Sequence, residues 1–343
     1  MTHLFHVVAG VLIVTGSLCL FAQPARCSSA DSSEAVIIDH HCVHIGKIPL
    51  TAIENAKKTL HIAYGHTSHG SQLIAGMTGL DAFMHNSPRY KTPPGLYLWN
   101  ETGSDGALHL EDRTFSKEGH DLGYDVDKKS WLPQKRRTSW WTMTRNYLDK
   151  PENAEINVVV WSWCNIYGHD IDTYLTEMEK LISEYGPGGA KIRSGQRKVP
   201  VTFVFMTGHT NNDTKDRPDE NQWTFAANKK IRQHCLKNNR ILYDFFDIES
   251  YNPDGEYFGD GESSAADNAY GSYQGHRKLE DDCSYNNDQG GRGNWADDWQ
   301  NSHVEGVDWW RSGAAHSRDL NGNLKGYAAW WLWARLAGWD PRK

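Results

Sequence analysis

Residues 65–71 read Gly-His-Thr-Ser-His-Gly-Ser and follow an apolar run over 60–64. A serine on a tight strand-to-helix turn holds its hydroxyl above a sheet, and backbone N–H groups at the helix start can share the charge of a developing oxyanion. Ser68 is therefore a candidate nucleophile, and Gly70 lets the turn close. The plainer alternative is that Ser68 or Ser71 caps the helix that follows. Such a nucleophile needs a base, most often histidine. His316, in Ala-Ala-His-Ser shortly before the last helix, is the candidate. His66 and His69 flank Ser68, and His209 follows a second apolar run in Thr-Gly-His. All three are candidate substrate contacts, with ordinary loop histidines as the alternative.

A metal centre competes for the same residues. His40, His41 and His44 lie beside Cys42, and His66, His69, His209 and His316 add to the count. Imidazole is the commonest zinc ligand. The interval from His66 to His69 falls in a turn and is not the helical HExxH spacing. There is no CxxC pair and no finger-type Cys/His array. Asp254, Asp260 and Glu262 in a Gly-rich loop lack EF-hand spacing. The expectation is no metal and no cofactor.

The elements that must position these residues alternate along the chain. Residues 51–59 and 71–84 have helical character, with the 60–64 strand between them, and 85–137 are Pro-, Gly- and charge-rich and read as loops. A helix is expected over 138–148, a buried strand over 156–161, a helix over 172–185 and a buried strand over 199–206. A helix over 225–237 and a short strand over 240–246 follow. β-branched runs without alternation mark strands covered on both faces, and strand–helix alternation marks a parallel sheet. Ligands in such sheets bind beyond the carboxyl ends of the strands, which is where 65–71, 162–165 and 207–212 fall. Residues 250–310 break the pattern and read as a Gly/Asp/Trp-rich insertion. Residues 325–339 read as a terminal helix buried on most sides.

This order of motifs resembles the SGNH (GDSL-like) hydrolase superfamily. That family carries a serine after the first strand, a glycine that lends an oxyanion N–H, an Asn after a middle strand and a His before the last helix. Ser68 takes the serine place, although His66-Thr67 replaces the family's Gly-Asp. Gly123, in His120-Asp-Leu-Gly123, takes the glycine place. Asn165, at the end of Val-Val-Val-Trp-Ser-Trp-Cys-Asn, takes the Asn place. His316 takes the His of Asp-x-x-His, with Gly313 where the acid belongs. Asp308 is the candidate replacement acid, with Asp319 as a second. The resemblance implies a three-layer α/β/α, flavodoxin-like fold with a parallel sheet and a long insertion. It also implies a serine ester hydrolase with Gly123 and Asn165 in its oxyanion hole. The missing acids favour a rival, a non-catalytic carbohydrate-binding protein on the same scaffold. The other rival is a His-rich metal-binding protein.

Composition sets the remaining bounds. The formal net charge of −7 over 343 residues argues against nucleic acid as partner, because phosphate binding wants a basic surface. The fifteen tryptophans and fifteen tyrosines suit either sugar stacking or core filling. The apolar run over 7–21 is too short for an ordinary membrane span and precedes small residues at Ser28-Ser29-Ala30. A signal peptide over 1–30 is expected, with an uncleaved anchor as the alternative. A single domain over 31–343 follows. The protein is then secreted or periplasmic, and its partner is a small-molecule or polysaccharide ester, with an O-acylated carbohydrate favoured. Cys42, Cys164, Cys235 and Cys283 remain after cleavage, and in an oxidising compartment they allow three full pairings.

Overall fold

The computed structural model describes residues 34–112, 114–115, 122, 124–125, 130–131, 139–163, 165–212, 215, 220–259, 278–286 and 291–343. The expected signal peptide, Gly123 and Cys164 lie outside the described residues.

The apolar runs form a seven-stranded sheet. Its strands are β1 (Val36–Ile38), β2 (His61–His66), β3 (Trp99–Asn100), β4 (Leu108–Asp112), β7 (Val158–Ser162), β8 (Thr202–Met206) and β9 (Ile241–Tyr243). Their order is β1-β9-β8-β7-β2-β4-β3, and every neighbouring pair is parallel. Two further strands, β5 (Tyr124–Asp125) and β6 (Ser130–Trp131), make a separate antiparallel ribbon. From β2 the chain builds β4 and β3 on one side and β7, β8 and β9 on the other. The end of β2 is thus a switch point, where parallel sheets open a crevice for ligands.

Helices flank the sheet. On one face lie α1 (Leu50–Thr59), α2 (Ser71–Thr78), α3 (Leu80–Asn86), α8 (Phe245–Glu249) and the terminal helix, α10 (Asp319–Leu336). On the other lie α4 (Ser139–Leu148), α5 (Ile171–Tyr185) and α7 (Glu220–Lys237). Alternate side chains of one strand feed the two cores: Val158 and Val160 enter the first, Val159 and Trp161 the second. That is why the strand reads as an unbroken apolar run. The short α6 (Ala190–Arg193) lies between α5 and β8 in the chain.

Several elements differ from expectation for identifiable reasons. The helix expected over 71–84 divides at Gly79, where a Cβ would sit 2.5 Å from the Trp310 indole nitrogen. The stretch 85–137 is not all loop, since it supplies β3 and β4. The strand expected over 240–246 stops at Tyr243, because the Asp244 side chain caps α8 by accepting from the Asp247 N–H. The 250–310 region holds a three-stranded antiparallel sheet, β10 (Lys278–Leu279), β11 (Ser284–Asn286) and β12 (Arg292–Asn294), and then α9 (Trp295–Ser302). Its Phe258 and Trp295 join the first core. Residues 32–343 cluster as one compact unit.

Helix α10 begins at Asp319, six residues before its expected start, and every residue from Leu320 to Ala334 is buried. A helix buried on all sides belongs in a core. It crosses α2 at glycines: a Cβ on Gly76 would lie 1.8 Å from the Gly322 carbonyl oxygen, and one on Gly326 would lie 2.5 Å from the Gly76 carbonyl carbon. Among the described residues ten tryptophans are buried, which favours core filling as their main use. Among the described residues no helix is long and apolar enough to cross a membrane.

Candidate functional site

The turn between β2 and α2 holds Ser68, half-buried. The N-cap of helix α2 is Gly70, which makes no side-chain capping bond. Instead Ser71 donates its hydroxyl to the Ser68 carbonyl at 2.6 Å, and the Tyr64 hydroxyl donates to the Gly70 carbonyl at 2.8 Å. Gly70 is required here. A Cβ would fall 2.4 Å from the His66 Cβ and 2.9 Å from the Ser162 Cβ, because the turn folds back between the ends of β2 and β7.

Three of the expected histidines form a stack. His209 and His69 lie face to face, with centroids 3.6 Å apart and planes 7° apart. His69 and His316 follow at 4.5 Å and 16°. His316 is exposed, while His69 and His209 are buried, so the stack runs from solvent into the protein. His316 has φ +58°, a left-handed conformation uncommon outside glycine. It arises where the chain turns into α10. His69 Nε2 stands 3.3 Å from the Asp281 carboxylate. His209 Nδ1 is bonded to the Thr210 carbonyl, and its Nε2 is buried with no partner among the described residues. Burial depresses His209 well below the usual histidine range, and the neighbouring His69, Lys325 and His316 charges add to this despite the Thr210 bond. It is held neutral at physiological pH.

His66 is buried and committed to the frame. Its Nε2 meets Asp112 Oδ1 at 2.6 Å and its Nδ1 meets the Thr67 carbonyl at 2.7 Å. With the ring 1% exposed, it ties the end of β2 to the end of β4. Asn165 lies beyond the end of β7, whose partner strand β2 leads to Ser68. Its amide nitrogen donates to Glu220 at 2.6 Å, and its oxygen accepts from the Tyr167 N–H at 2.7 Å.

The structure does not bring Asp308 to His316. One Asp308 oxygen takes Arg89 at 3.1 Å, and the other accepts from the Val304 N–H at 3.1 Å. Asp308 instead lines a cavity of about 390 Å³ together with Tyr90, Trp299 and Tyr327. Asp319 is also occupied, accepting from the Ser312 and Gly313 N–H groups at 2.9 and 2.7 Å. Among the described residues neither a carboxylate nor Ser68 is hydrogen-bonded to His316; the ring rests on His69, the neighbour of Ser68. Gly123 lies outside the described residues.

The His40 region gathers metal-type donors elsewhere. Asp39, His40 and Asp247 present ligand atoms within 4.8 Å of one another, the first two just after β1 and the third in α8. His40 already spends its backbone N–H and its Nδ1 on Asp247, at 2.9 and 2.6 Å. Burial and the Asp247 charge push Asp39 up to about 7, against the pull of His40. Cys42, Cys235 and Cys283 are buried free thiols, so full pairing of the four cysteines does not hold.

Sequence reasoning missed the supporting residues Asp112, Asp281, Gln72, Glu249 and Lys325. Only Lys325 carried a signal, as a cation just before the long apolar run of the terminal helix. Comparison with protein-family models, with curated proteins and with solved structures gave no match.

Proposed function

We propose that this chain is an exported serine ester hydrolase that removes acyl groups from carbohydrate, with Ser68 as nucleophile and His316 as base. One observation carries the reading. The serine turn and the histidine loop, far apart in sequence, are fastened together at the carboxyl edge of a parallel sheet. The His316 ring stacks on His69 beside Ser68, and Gln72 Nε2 donates to the Ala315 carbonyl at 2.7 Å across 243 residues.

In the proposed reaction Ser68 Oγ attacks the ester carbonyl as His316 takes its proton. The Ser68 and Gly123 N–H groups and the Asn165 amide hold the oxyanion. Collapse releases the sugar hydroxyl, which receives the proton from His316. Water, deprotonated by His316, then attacks the acyl-serine, and the acid leaves as Ser68 regains its proton. With Asp308 and Asp319 engaged elsewhere, His316 works as the base of a dyad. The dyad requires the exposed His316 ring to reach Ser68 when substrate fills the site.

The test is hydrolysis of aryl acetates and acetylated oligosaccharides, with labelling of Ser68 by a fluorophosphonate. Ser68→Ala and His316→Ala should each lower turnover by about 10³-fold or more. If the wild type is inactive on both substrate classes, or Ser68→Ala keeps its rate, the hydrolase reading is lost. A metal-binding reading is favoured by the Asp39–His40–Asp247 grouping alone, and zinc and iron analysis of the purified protein tests it.

A further inference from the structure

Lys325 lies inside α10 with its side chain fully buried. A buried ammonium demands a partner for each proton, and this one has three: Gln72 Oε1 at 2.8 Å, Glu249 Oε2 at 2.7 Å and Asn321 Oδ1 at 3.0 Å. It also stands 3.9 Å from the centroid of the Phe245 ring. The donor set is filled.

What those partners do with their other ends is the informative part. Gln72 gives its oxygen to Lys325, so its Nε2 must face away, and it donates to Ala315, the residue before His316. Asn321 gives its oxygen to Lys325, so its Nδ2 faces away too, and it donates to the Ser317 hydroxyl at 2.7 Å, the residue after His316. Glu249 gives one oxygen to Lys325, and its other accepts from the Thr210 N–H, next to His209. One buried charge thus sets the orientation of three planar groups. Two of them grip the chain on either side of His316, and the third grips the His209 loop. Replacing the ammonium by an apolar group would leave the amides free to flip, and the inner and outer ends of the histidine stack would lose their common anchor.

We infer that Lys325 is a positioning residue for the candidate site, fixing His316 and His209 in register through Gln72, Asn321 and Glu249. The catalytic side of this inference rests on the hydrolase reading. A merely structural Lys325 would contribute to folding alone; a positioning Lys325 also sets kcat.

The test compares wild type with Lys325→Met, with the double variant Lys325→Met/Glu249→Gln, and with Gln72→Met. The double variant removes the buried ion pair as a unit while keeping an acceptor for Thr210, so it avoids a lone buried charge. Gln72→Met cuts the branch to Ala315 and removes one of the three acceptors of Lys325, while leaving the ion pair with Glu249 in place. Each is read by thermal melting, by kcat and KM on an aryl acetate, and by the histidine ring resonances in NMR. The expected result for folded double variant and for Gln72→Met is kcat lower by about tenfold or more with KM nearly unchanged, and a displaced His316 resonance. Unchanged kcat in both folded variants overturns the inference. If the wild type shows no Ser68-dependent turnover, the hydrolase reading falls by itself. The positioning inference is then decided by NMR: displaced His316 and His209 signals in the double variant uphold it, and unmoved signals overturn it.

Discussion

Gly76→Ala tests the crossing on which the site is built. The new Cβ would sit 1.8 Å from the Gly322 carbonyl oxygen, where ordinary contact begins near 3.4 Å. The obstacle is backbone, so no rotamer relieves it, and α2 and α10 must part by roughly 1.5 Å. Over a seam of about 150 Å² that opens about 200 Å³ of void, and at about 24 cal/mol per Å³ the void costs about 5 kcal/mol. Alanine returns about 1 kcal/mol of helix propensity. Partial closure of the seam brings the net loss to about 3 kcal/mol, a fall in melting temperature of about 6–10 °C. The assay is thermal unfolding followed by circular dichroism. Gly46→Ala is the control, since its Cβ meets Tyr90 at an ordinary 3.6 Å and should change stability by under about 0.5 kcal/mol. A Gly76→Ala protein melting within about 2 °C of wild type would refute the close-crossing argument.

Two further outcomes follow from the buried ionisable groups. Burial and Asp247 raise the Asp39 carboxyl to about 7, so the folded state holds this proton more tightly than the unfolded state does. The resulting stabilisation is full below the unfolded carboxyl range, near pH 4, and is lost as pH rises through about 7. Asp39→Asn should therefore be close to neutral at pH 4 and stabilising by about 1–2 kcal/mol at pH 8; denaturant titrations at the two pH values check this, and a gain confined to acid pH would contradict it. Burial pushes the Cys42 and Cys283 thiols up to about 12 and also raises Cys235. All three should resist iodoacetamide at pH 8 in the native protein and react fully in guanidinium, as peptide mass mapping would show; native alkylation of any of the three would place it at the surface.

The sequence by itself determined the class of architecture. β-branched runs such as 156–161 can be buried on both faces only in a covered parallel sheet, and their periodicity is a local property of the chain. The terminal helix was legible for the same reason: Trp330, Trp331 and Trp333 crowd one short stretch and leave it no polar face. The place of Ser68 was legible too, because a strand followed by a Gly-rich turn and a helix is a local pattern. Tertiary structure alone decided the partners. β4 was lost in a polar stretch because two strand neighbours, not its own composition, make it a strand. Asp308 looked available to His316 along the chain, yet its two oxygens are taken by Arg89 and Val304. The stacking of His316 on His69 and of His69 on His209, and the hold of Lys325 on the loops that carry them, depend on close crossings between segments distant in sequence. Those crossings are set by the volume of the glycines at the α2–α10 seam and by the need of one buried ammonium for three acceptors, neither of which is a periodic signal in the sequence.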